Sequence, residues 1–305
     1  MSVEVVIKNR KIIKKALTIQ DLTMGKYECG TQDQYFRYTG EVTEGNLIIY
    51  DPKKIGRGIS INPWKANLKT EVHLVANTFS TKYDFEMFYD IIKNIMHIWK
   101  TTVLEQDGDK HSIDELNDLC VTQKHITLDF MCNIENITQN SKDNDINIFG
   151  AMYPLYIEKD AFKKFGMEKD EEGYADYLHS LQCMDAYYAI PVFYSGKDKS
   201  DSFFGNYTIT SETDTIFPIT PNATSFQNNP KTGKPLECSL YAVSLYSNAK
   251  DKLLAVVSFD DFCKLADIEN CEKHDCRHVI LKGISEVRLA NMAAAGCPDP
   301  LEDFK

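Results

Sequence analysis

The sequence predicts an α+β fold with mixed, mainly antiparallel sheets and packed amphipathic helices, arranged as two lobes. Three observations lead there. Between Tyr83 and Trp99 the residues Phe85, Phe88, Tyr89, Ile92, Ile95, Met96 and Trp99 recur at helical spacing and form one wide apolar face. Before and after that segment lie short runs rich in Val, Ile, Phe and Tyr, bounded by turn residues. Neither an internal repeat nor a heptad pattern is present.

Along the chain, Val3–Lys8, Leu47–Tyr50, Gly58–Asn62 and Val72–Ala76 read as strands. Thr81, with Asp84 three residues on, starts the long helix, because a Thr hydroxyl can accept from the exposed amides of the first turn. Asp107-Gly108 is a turn between short strands at Val103–Glu105 and Lys110–Ser112. Ser112 and Glu115 form a capping box that opens a helix to about Val121, and a further helix spans about Lys124–Ile134. The stretch 136–147 is polar and rich in Asn, Asp and Ser, so it buries too little to order itself and is taken as the boundary between lobes at 1–140 and 148–305. One continuous domain is the alternative. Downstream, Phe149–Ile157 reads as a strand and Tyr174–Met184 as a helix. Strands follow at Tyr187–Tyr194, Tyr207–Thr210, Thr215–Phe217, Leu240–Tyr246 and Leu253–Ser258. A long loop at Pro218–Pro235 is a candidate binding element. Helices at Asp260–Leu265 and Ser285–Ala295 close the chain, with Asp260 and Asp261 placed as helix caps.

Composition narrows the function. A net charge of −11 and only five arginines oppose nucleic-acid binding, which needs a basic footprint and planar guanidinium forks. Lys8 to Lys15 is the one basic stretch, read as a solvated strand end and turn. No run approaches the ~18 apolar residues of a membrane span, and the basic residues follow the first apolar run, the wrong order for a secretory signal. A membrane partner is therefore not expected. Nine cysteines without paired spacing suit reduced thiols, so the expected location is cytoplasmic.

Four segments carry a resemblance: Ile55 to Ile59 (with Gly56, Arg57 and Gly58), Tyr187 to Tyr194, Thr215 to Pro221, and Ala255 to Cys263. In this order and at this length they resemble a bacterial domain-of-unknown-function family, number 4299, across the whole chain. The resemblance implies a bacterial cytosolic protein and brings no activity, cofactor or catalytic residue with it.

The densest group of potential ligands and nucleophiles lies between Cys271 and His278. If 274–278 is extended, His274, Cys276 and His278 share a face at two-residue spacing, and Cys271 can fold back as a fourth zinc ligand. A charged surface turn is the competing reading, since four ligands from one eight-residue loop rarely reach tetrahedral positions. Cys276 beside His274 and His278 is also a candidate activated thiol, although working dyads usually join distant segments. Cys120, Cys132, Cys183 and Cys238 read as small core residues. Gly56-Arg57-Gly58 lacks the third glycine of a dinucleotide fingerprint and leads into a strand, so it reads as a turn. Asn136, Asn206 and Asn222 head glycosylation sequons that carry no meaning in the cytoplasm.

Exposed aromatics point to another class of function. Tyrosine buries a large area with one polar handle, and the Tyr-rich second half offers Tyr194, Tyr207 and Tyr246 as interaction residues. The sequence thus predicts a non-catalytic protein that binds a protein partner, with no catalytic residues and no cofactor. The alternative is a metal- or thiol-dependent enzyme or sensor built on Cys271, His274, Cys276 and His278, with zinc as its cofactor.

Overall fold

The computed structural model describes residues 2–43, 45–64, 68–138, 143–195, 203–221, 228–229, 232–234 and 238–302. The expected α+β class is what it shows, with helices and mostly antiparallel sheets in similar proportion. The chain separates into two compact units, 1–184 and 185–305. The polar stretch 136–147, expected as the boundary, lies inside the first unit; its residues 139–142 fall outside the described residues.

In the first unit the elements run β1 (Val3–Lys8), α1 (Ile19–Thr23), β2 (Glu28–Thr31), β3 (Gly45–Tyr50), β4 (Ile59–Trp64), β5 (Glu71–Ala76) and α2 (Lys82–Trp99). They continue with β6 (Val103–Gln106), β7 (Asp109–Ser112), α3 (Leu116–Cys132), α4 (Ile134–Ile137), β8 (Asp145–Phe149), β9 (Pro154–Glu158), α5 (Lys159–Glu168) and α6 (Glu171–Gln182). Seven strands form an antiparallel sheet in the order β2-β3-β4-β5-β1-β6-β7. Alternating side chains of β1 and β5, with Val3, Val5, Ile7, Val72, Leu74 and Ala76 inward, share one core with Phe85, Phe88, Ile92, Ile95 and Trp99 of α2. The apolar face of α2 therefore lies in this core. Thr81 and Asp84 close a reciprocal capping box at its start, and Lys100 ends it in the left-handed region.

Local differences from the sequence reading have physical reasons. The two helices expected at 112–134 are one, because Thr122 and Gln123 continue the backbone ladder without an apolar signal. The strand expected over 149–157 is a hairpin, β8 with β9, turning at 150–153. Helix α5 was not expected, since only Phe162 and Gly166 among its ten residues are buried. Gly166 is where α5 meets α3 closely: a Cβ there would stand 2.5 Å from the Cys132 amide nitrogen.

The second unit contains β10 (Tyr187–Tyr188), β11 (Val192–Ser195), β12 (Phe203–Thr210), β13 (Thr215–Pro218), β14 (Cys238–Ser247), β15 (Lys252–Ser258), α7 (Phe259–Ala266), β16 (Glu272–Lys273), β17 (His278–Leu281) and α8 (Glu286–Ala293). Two four-stranded sheets result, β10-β13-β17-β16 and β11-β12-β14-β15. One core joins them, with Phe217, Val279 and Leu281 from the first sheet meeting Tyr207, Val243 and Leu245 from the second, and Phe259 and Phe262 of α7 against both. The strand expected over Tyr187–Tyr194 is broken between β10 and β11, at 189–191, where Pro191 cannot donate to a ladder. Half of the Pro218–Pro235 loop lies outside the described residues.

Candidate functional site

The Cys271–His278 segment is a β-hairpin tip. Glu272 and Lys273 pair with Ile280 and Val279, and the His274 amide donates to the His278 carbonyl at 2.9 Å, so the chain reverses at 275–277. An extended 274–278 strand, on which the shared ligand face depended, is not what forms. Among the described residues, no group of three or more His, Cys, Asp or Glu side chains is placed to hold a metal ion, so Cys271, His274, Cys276 and His278 are not brought together as a ligand set.

What the hairpin does contain is a buried polar relay. One carboxylate oxygen of Asp275 accepts from the Arg277 amide at 2.8 Å, the His278 amide at 2.8 Å and His278 Nδ1 at 2.9 Å. On the far side of the ring, Nε2 lies 3.2 Å from the Tyr188 hydroxyl. With Nδ1 carrying the proton toward Asp275, Nε2 is left to accept from Tyr188. Carboxylate, imidazole and hydroxyl in series are the parts of a general-base relay. Asp275, His278 and Tyr188 are all buried, His278 completely. Their effect is to hold the turn and tie β17 to β10. His274 is buried as well; burial pulls its pKa down to about 4, with Asp275 opposing, which keeps the ring neutral at pH 7.

Five of the thiols are poorly disposed to nucleophilic work. Burial pushes up the pKa of Cys29, Cys120, Cys238 and Cys271, and that of Cys263 to about 11. Cys183, expected in the core, is exposed just past the end of α6. Asp260 and Asp261 are not the cap of α7: Ser258 caps it, accepting from the Asp261 amide at 3.1 Å.

A second buried carboxylate, in the first unit, explains the Gly56-Arg57-Gly58 turn. Asp84 accepts from the amides of Arg57 at 3.0 Å and Gly58 at 2.8 Å, and from the Thr81 amide and hydroxyl at 2.7 and 2.9 Å. Gly56 is required there, because a Cβ would stand 2.3 Å from the carboxylate. Arg57 is itself buried and donates to the carbonyls of Phe149 and Thr78. Gln182 completes the corner, donating to the Gly56 carbonyl at 2.8 Å and accepting from the Met152 amide at 3.1 Å. Asp84 was assigned only to the helix cap; the rest of the corner joins residues 21 to 126 positions apart, which no local spacing signals.

The interaction residues divide. Tyr207 is fully buried, packed on Phe217 and Phe259, and so is not a surface residue. Tyr246 is half-buried and donates to Asp251 beside the turn that follows β14. Tyr194 is 47% exposed on β11 and stacks on Phe204, its cross-strand partner, with ring centroids 5.2 Å apart. Val192, two residues earlier and thus on the same face, is 51% exposed. Among the described strands β11 pairs only with β12, and β10 pairs only with β13. One segment, 187–195, therefore supplies an edge strand to each sheet of this unit. It carries Tyr187, Val192 and Tyr194, three of the exposed large hydrophobic side chains.

Residues 2–292 match the model of a family described as a domain of unknown function, DUF4299. The chain belongs to that family. No curated protein and no solved structure matches it. No helix among the described residues is long and apolar enough to cross a membrane. Family membership brings no reaction or ligand, so the geometry of the chain itself carries the functional reading.

Proposed function

We propose that this chain is a non-catalytic, cytoplasmic binding protein whose protein partner adds an extended segment to the β11 edge. The supporting observation is the 187–195 segment, an edge strand with Val192 and Tyr194 facing outward. Edge strands offer a row of backbone donors and acceptors that another strand can complete, while side chains at alternate positions give specificity. Tyr194 supplies an aromatic anchor already fixed against Phe204, so little side-chain freedom is lost on docking. The absence of any disulfide among the nine cysteines, all of them described, supports a reducing compartment. Zinc at the hairpin has less support, because the hairpin reverses where the ligand set needed an extended strand.

Affinity capture with the full chain and with a Val192→Lys/Tyr194→Ala variant tests the reading. The expected result is one stoichiometric protein partner on the natural chain, lost from the variant at unchanged melting temperature. Retention of that partner by the variant would sink the proposal.

A further inference from the structure

Residues 9–17 form a loop between β1 and α1 whose tip presents Ile12 and Ile13 to solvent at 102% and 88% exposure. No other large hydrophobic side chains among the described residues are as exposed. Arg10, Lys11, Lys14 and Lys15 flank the pair, in a chain whose net charge is −11. The stems of the loop are held firmly. Asn9, itself buried, donates to the carbonyls of Lys69 at 2.9 Å and Lys15 at 3.5 Å, and its amide reaches the Thr70 carbonyl at 2.7 Å. Lys11 Nζ donates to the Ile98 carbonyl at 2.9 Å, and Trp99 Nε1 to the Lys15 carbonyl at 3.1 Å. The Leu17 amide then joins the Leu68 carbonyl at 2.9 Å. Two isoleucines are thus held outward by a braced loop instead of being folded back onto the protein.

At the foot of the loop a depression of about 260 Å³ is lined by Lys8, Arg10 and Lys110 together with Glu105, which pairs with Lys8 at 3.8 Å. Cationic groups therefore surround the apolar tip and also line the hollow beside it. We propose that this loop docks the protein onto an anionic lipid surface, with Ile12 and Ile13 entering beneath the headgroups and Arg10 and Lys14 meeting lipid phosphates, while Lys15 pairs with Asp21 at 3.5 Å. A convex tip with a cationic collar suits a bilayer interface, where aliphatic carbon is removed from water and positive charge stays at headgroup depth. The net charge of −11 disfavours approach of the molecule as a whole to such a surface, and the cationic loop opposes that repulsion locally. This surface is in the first unit and is independent of the β11 edge.

Co-sedimentation of the full chain with vesicles tests the proposal. Binding is expected to phosphatidylcholine vesicles containing phosphatidylglycerol, to be absent with phosphatidylcholine alone, and to fall as salt rises. Replacing both isoleucines (Ile12→Ser/Ile13→Ser) should weaken binding about tenfold or more at unchanged melting temperature, because neither side chain contributes to a core. An Arg10→Glu/Lys14→Glu variant should lose the salt-sensitive part. Failure of the natural chain to bind anionic vesicles at low salt would overturn the proposal and turn attention to an acidic protein as the ligand of the tip. Equal binding by the double isoleucine variant would also overturn it.

Discussion

Asp84 in the first unit and Asp275 in the second are buried carboxylates that hold a turn, but they differ in reach. Asp84 joins the start of α2 to the turn before β4, and with Arg57 and Gln182 it ties together segments from residue 55 to residue 182. Asp275 accepts from the Arg277 and His278 amides and from the His278 ring, whose far nitrogen meets the Tyr188 hydroxyl of β10. Each holds a stretch that suggests chemistry in the sequence, a Gly-Arg-Gly and a Cys/His cluster. In both, charge is spent on backbone amides. The most exposed large hydrophobic side chains of the two surfaces proposed above are Ile12 and Ile13 in the first unit and Val192 in the second.

The difference in reach is open to direct attack. Asp84→Ala leaves two backbone amides of the 57–58 turn buried without an acceptor and removes the reciprocal half of the α2 capping box, and should cost roughly 3 to 5 kcal/mol in chemical denaturation. Ile92→Ala, at a fully buried position of α2, should cost about 2 to 5 kcal/mol. Asp275→Ala should cost less, about 2 to 3 kcal/mol, and should loosen hydrogen exchange in β16 and β17 while leaving the first unit unchanged. An Asp275→Ala cost equal to that of Asp84→Ala would mean that the hairpin has a wider structural role.

Acid separates the units next. The imidazole of His274 has its pKa pulled from 6.5 to about 4 by burial. Between those values the unfolded ring takes up a proton that the folded ring refuses. Stability of the second unit therefore falls as pH drops from 6.5 toward 4, by about 2 kcal/mol at pH 5, and the loss levels off below 4. In the first unit Glu172 is held down to about 2 by Lys82, Lys54 and Tyr83. Its contribution persists above 4.5 and is lost only as pH falls from there toward 2. Both tryptophans, Trp64 and Trp99, belong to the first unit, so their fluorescence should hold at pH 5 while amide exchange in 203–302 accelerates. The smallest expected effect is that of Lys93→Ala, on the exposed side of α2, at about 0.5 kcal/mol or less.

Much of the fold was legible where a pattern is local and repeated. Seven apolar positions over five turns define α2, and Thr81 with Asp84 marks its start; Asp107-Gly108 marks the β6–β7 turn. Helix α5 was not legible, because it buries a phenylalanine and a glycine and shows no stripe. Of the three tyrosines read as interaction residues, Tyr194 is the one whose side chain is exposed. Tyr207 has the same composition and strand setting but lies on the inner face of β12, and alternation alone does not say which face is inner when both sheets share one core. The hairpin at 275–277 escaped because Asp275 makes the turn with its own carboxylate, without the glycine or proline that usually announces one.

Amide hydrogen exchange on the complex with its captured partner tests the central claim most directly, since it reads the β11 edge and the Cys/His hairpin in one experiment. Added protection confined to 192–195, with 271–278 unchanged from the free protein, is the predicted result. Protection at 271–278 with 192–195 still exchanging freely would contradict it.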